Sequence, residues 1–178
     1  MIKTLYKTFQ HWSDGGGVKI ISDPHFDDAD MKMYFNYPHP QIICNKINKG
    51  LKKGDTLVIL GDIGDEKWVK KLHCRHKVLI MGNHDRGTSI YEPYFDEIYQ
   101  GPLMIAEKIL LSHEPIETDW CLNIHGHTHG HDTEDEYHIN VCCDITEFEP
   151  LNLKTVIELG LLKQITSLHR RAIDKQKE

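Results

Sequence analysis

The stretch from Thr56 to Asp85 decides the fold, because two apolar runs in it each end in glycine and polar residues. Thr56–Leu60, TLVIL, is followed by Gly61-Asp62, and Lys77–Met81, KVLIM, is followed by Gly82-Asn83-His84-Asp85. Short β-branched runs bounded by glycine predict buried strands. Glu66 to Leu72, between them, predicts a short helix, so the stretch favours a parallel βαβ unit.

The same pattern continues towards the N-terminus. Val18–Ser22 predicts a buried strand that ends at Asp23. Pro40–Lys52 predicts a helix, since Ile43 and Ile47 recur at helical spacing within it. The first half of the chain is therefore expected to be βαβαβ.

The second half is richer in strands. Leu103–Ser112 predicts a hairpin, and Cys121–Ile124 and His138–Cys142 predict further short strands. Because no long helix separates them, we expect consecutive strands here to pair with one another. Asn152 is a candidate cap for a helix that begins at Leu153. Two packed sheets with helices outside would satisfy both halves.

Length and charge limit the class of protein. The chain has 178 residues, which fits a single domain spanning residues 1–178, with a charged tail from about residue 169 that is expected to fray. Lys and Arg number 21 against 27 Asp and Glu, a net charge of −6, which does not indicate nucleic-acid binding by bulk charge. No apolar run has the length of a membrane span or a signal peptide, so we expect a cytoplasmic protein without a membrane partner.

The numbers of cysteines and histidines have different implications. There are five cysteines, an odd number without a Cys-x-x-Cys pair, which argues against a disulfide framework or a zinc finger. We expect each to be a small buried apolar residue. The 13 histidines, an unusually high number, need another explanation.

Polar residues follow five of the predicted strands. Ligands of open α/β sheets bind beyond the carboxyl ends of the strands, so we expect these residues to converge at one edge of the fold. The five blocks are Asp23-Pro24-His25, Gly61-Asp62, Gly82-Asn83-His84-Asp85, His113 and Gly126-His127-Thr128-His129.

The residue types in these blocks suit a divalent transition metal. Carboxylate, amide and imidazole ligands fit Mn, Fe, Zn, Ni or Co better than Ca, and Mn²⁺ is favoured here. Asp23 and His25, and likewise His127 and His129, are two residues apart, which in extended chain places both side chains on one face. The number of candidate ligands indicates two ions that share one carboxylate.

The five blocks, in order, resemble the motif set of the calcineurin-like metallophosphoesterases. The resemblance covers the chain from about Val18 to Val141. It implies a four-layer α/β/β/α sandwich, with two packed mixed β-sheets flanked by helices, that holds a dinuclear metal site. It further implies that one metal is bound by Asp23, His25 and His129, the other by Asn83, His113 and His127, and that Asp62 bridges the two.

The resemblance also implies a reaction. A hydroxide that bridges the metals would attack phosphorus while the ions neutralise the phosphoryl oxygens. His84 would act as the general acid and, with Asn83, contact the substrate. Asp85 would orient His84 and favour its charged form.

Several residues near the five blocks have two possible roles. His125 and His131 flank the last block and are expected to support the ligands or face solvent. Arg86 suits a phosphate clamp or a surface ion pair equally well. Asp27, Asp28 and Asp30 line the substrate mouth or form a solvated loop, and substrate specificity is expected within Phe26–Pro38.

The function predicted from the sequence is metal-dependent hydrolysis of a small phosphoester. We expect no sizeable cap domain, and an open site suits a phosphodiester, a cyclic nucleotide or a small phosphate ester, with a phosphodiester favoured. The alternative is a catalytically silent scaffold of the same fold. A nucleic-acid processing subunit is a third possibility, although no basic stripe or aromatic platform is evident. The oligomeric state is left open.

Overall fold

The computed structural model describes residues 17–131 and 135–176. The strands are β1 (Val18–Ile21), β2 (Thr56–Ile59), β3 (His76–Ile80), β4 (Glu97–Tyr99), β5 (Leu103–Ala106), β6 (Ile109–Leu111), β7 (Leu122–His125), β8 (His138–Asn140) and β9 (Leu151–Asn152). The α-helices are α1 (Ala29–Tyr34), α2 (Pro40–Lys49), α3 (Thr88–Tyr91), α4 (Leu153–Glu158) and α5 (Leu168–Lys175), and a 3-10 helix spans Glu66–Lys71.

The first sheet has five strands in the order β4-β3-β2-β1-β9. Strands β1 to β4 pair in parallel, with Ile20 opposite Val58 and Val58 opposite Val78. Strand β9 pairs with β1 antiparallel, which makes the sheet mixed. The βαβαβ order expected for the first half is confirmed.

The second sheet has four strands in the order β5-β6-β7-β8. Strands β5 and β6 form the predicted antiparallel hairpin, whereas β6, β7 and β8 are parallel. Consecutive strands are neighbours throughout this sheet, as the sequence predicts.

The two sheets pack face to face across one apolar core. Ile20, Val58 and Val78 of the first sheet are buried in the same cluster as Leu111 and Ile124 of the second. Burial of each such side chain contributes about 1.5–3 kcal/mol. Because side chains alternate along a strand, these residues determine which face of each sheet packs against the other sheet.

The opposite face of the first sheet is covered by helices. Ile43 and Ile47 of α2 and Val69 of the 3-10 helix pack in a second cluster with Leu57 and Leu79. Two mixed sheets and a helical layer are thus established, which confirms an α/β fold. The fourth layer of the sandwich expected from the sequence remains a prediction.

Several elements differ from the expectations. Strand β4, strand β9 and helices α1 and α3 are short elements that no sequence pattern predicted. Leu168–Lys175, expected to fray, forms a helix capped by the Ser167 hydroxyl. His11, a histidine that belongs to none of the five blocks, is not among the described residues.

Two expectations about the whole chain can be compared with the structure. Within the described residues, no helix combines the length and apolar character needed to cross a bilayer. All five cysteines are free thiols, and all except Cys74 are buried. The cytoplasmic location stays a prediction.

Candidate metal centre

Both sheets contribute to a single cluster at the carboxyl ends of their strands. Asp23, Asp62 and Asn83 follow β1, β2 and β3 of the first sheet, while His113 follows β6 and the His127 block follows β7 of the second. Residues separated by about a hundred positions in sequence are brought together, as the positions at strand ends predict.

The first group of potential ligands consists of Asp23, His25 and His129, whose ligand atoms all lie within 4.8 Å of one another. Nε2 of His25 is 3.7 Å from Oδ1 of Asp23, and Nε2 of His129 is 3.8 Å from the same oxygen. Among the described residues, Oδ1 of Asp23 and Nε2 of His25 are buried without a hydrogen-bond partner. Buried polar atoms of this kind are costly unless something satisfies them, and a cation between them would do so.

The second group consists of Asp62, His113 and His127, again within 4.8 Å. The amide oxygen of Asn83 joins it, at 2.7 Å from Nε2 of His113 and 3.1 Å from Nδ1 of His127. The two histidine nitrogens are 3.2 Å apart. Several atoms able to act as acceptors therefore converge on one point, as ligands around a cation do.

Asp62 lies between the two groups. Its Oδ2 is 3.7 Å from Nε2 of His25 and 3.5 Å from Nε2 of His113. The side chain is only 2% exposed. This carboxylate is placed to be shared by two ions.

The histidine rings are oriented by acceptors on their far side. Nδ1 of His113 faces the carbonyl oxygen of Leu60 at 2.7 Å, and Nδ1 of His25 faces Oδ2 of Asp28 at 3.3 Å. Donation of the Nδ1 proton to these acceptors leaves Nε2 with a lone pair that points into the cluster, which is the arrangement of metal-ligating histidines.

The ring of His129 is likewise oriented by an acceptor at Nδ1, a carboxylate that was not predicted from the sequence. Its Nδ1 is 3.1 Å from Oδ1 of Asp144. Asp28 was considered only as a residue of the mouth or of a solvated loop, whereas it both orients His25 and caps α1 through Oδ1. Nothing in the local sequence distinguishes these carboxylates from ordinary loop residues.

Cys142 also lies beside the first group, although no cysteine was expected near the site. Its Sγ is 3.2 Å from Oδ2 of Asp23, and it could form a metal-binding group with His129 and Asp144. Burial and the neighbouring Asp23 carboxylate raise the pKa of the Cys142 thiol. The protonated thiol therefore donates to Asp23.

The buried carboxylates differ in their electrostatics. Burial alone would raise the pKa of Asp23, but His25 and His113 together with hydrogen bonds hold it at about 2. Burial likewise opposes the charged form of His25, yet Asp23, Asp62 and Asp28 raise its pKa. For Asp62, burial raises the pKa and outweighs the opposing effect of His113. A cluster so dominated by desolvated carboxylates favours a bound cation.

The backbone of the ligand loops is not extended. The prediction that extended chain places candidate ligands two residues apart on one face is therefore wrong. Asp23, His25, His127 and His129 all have positive φ, at 56°, 39°, 68° and 45°. Instead, the backbone N–H of His127 donates to Oδ2 of Asp23 at 2.9 Å and joins the two loops. Gly126 permits this approach, because a Cβ there would overlap the Asp23 carboxylate.

His84, the proposed general acid, is exposed at the rim of the cluster. Its ring centroid is 6.0 Å from that of His25, and its backbone N–H donates to Oδ1 of Asp62 at 3.0 Å. It is not a member of either ligand group among the described residues. Its ring is therefore available to a substrate.

The contacts of Asp85 differ from the expected one. Its carboxylate accepts hydrogen bonds from the backbone N–H groups of Asp62, Ile63 and Gly82 and from the Tyr91 hydroxyl, at 2.9–3.0 Å. Among the described contacts, none joins it to His84. The carboxylate holds the loop that carries Asp62 against the loop that carries Asn83.

The structure also shows the contacts of the residues that have two possible roles. Arg86 forms an ion pair with Glu66. His125 is fully buried, with Nδ1 2.9 Å from the carbonyl oxygen of Gly126, and it packs against His138; His131 is exposed. Neither His125 nor His131 belongs to a ligand group within the described part of the chain.

Two cavities adjoin the cluster. One, of 280 Å³, is lined by His25, Asp28, Asp30, Met31, Phe35, Asp62, His84, His127 and His129. The other, of 340 Å³, lies beside Asn83 and His113 and is otherwise lined by Ile80, Met81, Gly82, Gln100, Gly101, Pro102, Ser112, Glu114, Pro115 and Ile116. The first contains ligands of both groups together with His84.

Comparison with known proteins identifies relatives of similar length. No family model matches the chain. Uncharacterized protein MJ1445 of Methanocaldococcus jannaschii is 29% identical over 170 residues, covering 80% of this chain and 90% of that protein. The crystal structure of AQ665, a protein of unknown function from Aquifex aeolicus, has a TM-score of 0.67 and 27% identity, covering 81% of this chain and 99% of that one. The two matches cover 80% and 81% of this chain, and neither protein's name states an activity.

More distant structures are also similar. The nuclease MPE of Pseudomonas putida has a TM-score of 0.47 and 23% identity, covering 63% of this chain and 61% of that chain. A single mutant of Vps29 from Entamoeba histolytica has a TM-score of 0.42 and 18% identity, covering 70% and 72%. These similarities are too low to indicate a function.

Proposed function

We propose that the protein is a dinuclear metal-dependent phosphoesterase of the calcineurin-like metallophosphoesterase superfamily. The observation that carries the proposal is the position of Asp62, whose single Oδ2 lies between two groups of ligands. A mononuclear or purely structural site has no need of a second group on the far side of the same carboxylate.

The ligand groups fit divalent ions. Asp23, His25 and His129 would hold one ion, and Asn83, His113 and His127 the other, with Asp62 shared. Their oxygen and imidazole ligands favour Mn²⁺, with Fe, Zn, Ni or Co as alternatives. Such ions, when bound, supply Lewis acidity towards phosphoryl oxygens and lower the pKa of water.

The residues of the chain perform the remaining tasks. Asn83 and His84 are solvent-exposed beside the cluster, so both would be accessible to the phosphoryl oxygens of a bound substrate. Protonated at Nε2 or Nδ1, His84 would transfer its proton to the departing alkoxide oxygen as the phosphorus–oxygen bond breaks. Asp85 keeps the Asp62 and Asn83 loops together during this step through its four hydrogen bonds.

The charge around the site favours a phosphodiester over a monoester. Two divalent ions bring four positive charges, while Asp23, Asp28, Asp30, Asp62 and Asp144 bring five negative ones. Among the residues that line the 280 Å³ cavity, none is Lys or Arg. Beyond the ions, the second negative charge of a monoester would therefore meet no Lys or Arg side chain of the cavity, whereas a diester carries no second charge.

Hydrolysis of bis(p-nitrophenyl) phosphate by Mn²⁺-loaded protein tests the proposal. We expect metal-dependent turnover, faster than that of p-nitrophenyl phosphate, which Asp62→Asn abolishes and which Asp119→Asn, a change at an exposed site, leaves intact. Two Mn²⁺ per chain without turnover of any diester or monoester would instead support the scaffold alternative. Failure to bind two ions would contradict the dinuclear site itself.

A further inference from the structure

Phe35 is an aromatic side chain that the proposed chemistry does not use, although it lines the cavity that contains His84. Its ring centroid is 5.0 Å from that of His129, with 32° between the ring planes. The residue is nevertheless 49% exposed. One side of the ring thus rests on a proposed metal ligand, and much of the rest is open to solvent.

Phe35 is held in a fixed position relative to the metal ligands. It ends α1, and its backbone N–H donates to the carbonyl oxygen of Met31, which is 6% exposed. The other end of α1 is capped by Asp28, whose second carboxylate oxygen orients His25. The two ends of this short helix therefore each lie beside a candidate metal ligand. His25 contacts Asp28 at one end, and His129 contacts Phe35 at the other.

Two other large side chains of α1 are exposed but do not line the cavity. Met33 and Tyr34, which precede Phe35, are 74% and 73% exposed. Of these three side chains, only Phe35 lines the cavity that contains His84. Met31 and Phe35 are the apolar side chains that line this cavity, and its other lining residues are aspartates and histidines.

The shape and charge of the cavity limit what could cover the ring. Its volume of 280 Å³ is at the small end for ligand sites, so it suits a phosphate with one attached ring system. Asp28 and Asp30 disfavour additional phosphates. A flat ring offers dispersion and stacking contacts to another flat ring without requiring a hydrogen-bond pattern.

We propose that Phe35 is a stacking platform for a nucleobase, and that the substrates are small monoanionic phosphodiesters that carry a nucleoside next to the scissile phosphorus. The inference rests on the proposed phosphoesterase function and narrows its substrate class. Phe35 contributes to binding of the substrate and takes no part in breaking the phosphorus–oxygen bond.

A matched pair of substrates tests the platform. Thymidine 5′-(p-nitrophenyl phosphate) and ethyl p-nitrophenyl phosphate have the same charge and leaving group and differ in the nucleoside. With Mn²⁺-loaded protein we expect a higher kcat/KM for the thymidine ester, which Phe35→Ala lowers by about 5- to 100-fold, the range of one base–aromatic stack. The kcat/KM of the ethyl ester should change less than about twofold, and Phe35→Tyr should restore the preference.

A binding measurement separates this inference from the proposed activity. Calorimetry with thymidine 5′-methylphosphonate should show weaker binding to Phe35→Ala than to the wild type, at equal Mn²⁺ content. Met33→Ala, a change on the same helix outside the cavity, is the control and should bind like the wild type. Equal binding by wild type and Phe35→Ala, or equal turnover of both esters, would overturn the platform. Binding that depends on Phe35 without turnover of any ester would support it and overturn the activity alone.

Discussion

Replacing Asp85 with alanine removes a carboxylate that joins three parts of the chain. The side chain accepts from Asp62 and Ile63 after β2, from Gly82 after β3 and from Tyr91 in α3. The partners are three backbone N–H groups and a hydroxyl that is almost fully buried with the rest of Tyr91, at 1% exposure. In the alanine variant these donors keep their positions and lose their acceptor.

The expected loss of stability follows from the donors left behind. A buried donor without an acceptor costs about 1–3 kcal/mol, and water reaches some of these donors because the site is only partly buried. We therefore expect Asp85→Ala to lower the free energy of unfolding by about 3–5 kcal/mol. Tyr91→Phe, which removes one of the four donors, should cost about 1 kcal/mol.

Urea unfolding of metal-free protein, followed by circular dichroism, measures both variants, and Mn²⁺ titration shows whether the Asp62 loop still holds metal. We expect weaker Mn²⁺ binding by Asp85→Ala, since Asp62 loses the anchor of its own backbone. If Asp85→Ala lost less than about 1 kcal/mol and bound Mn²⁺ normally but turned over slowly, the carboxylate would serve His84 and the present assignment would be refuted.

Three further predictions concern the site itself. His84→Ala should retain two Mn²⁺ per chain while kcat for bis(p-nitrophenyl) phosphate falls by about 10²–10⁴-fold; unchanged kcat would exclude a general acid at this position. Asp144→Ala should weaken Mn²⁺ binding by about 10- to 100-fold, measured by titration, because His129 loses the group that orients its ring; unaltered affinity would make Asp144 a bystander. Mn²⁺ affinity should decline with falling pH from a higher pH than an ordinary imidazole would give, because the pKa of His25 is raised and its proton must leave before the metal binds. Calorimetry in two buffers of different ionisation enthalpy measures that proton release, and Asp28→Asn, which removes one cause of the raised pKa, should reduce it near neutral pH.

The sequence predicted well that the candidate ligand residues converge, because their positions depend on strand ends. Asp23, Asp62 and Asn83 each follow an apolar run, and parallel strands bring their carboxyl ends together whatever the loops do. The same reasoning located His113 and His127 on the second sheet. The strands themselves differ from the predicted bounds by one or two residues.

The loops could not be predicted in the same way. Positive φ at His25 and His129 replaces the extended chain that their spacing suggested, and the contact that makes this possible, His127 N–H to Asp23, joins residues 104 positions apart. Asp144 and Asp28 act on imidazoles through the folded structure, and no local pattern marks them. Strands β4 and β9 have three and two residues, too few to produce a periodic signal.

The division of the ligands between two sheets has a consequence for assembly. Four of the five strands of one sheet come from residues up to Tyr99, and the other sheet comes from Leu103 to Asn140, so each can form largely from its own continuous segment. Asp62 and His113, which face each other at 3.5 Å, belong to different segments. An ion held by residues of both segments would cross-link the two halves, and its binding would stabilise the docked arrangement of the two sheets.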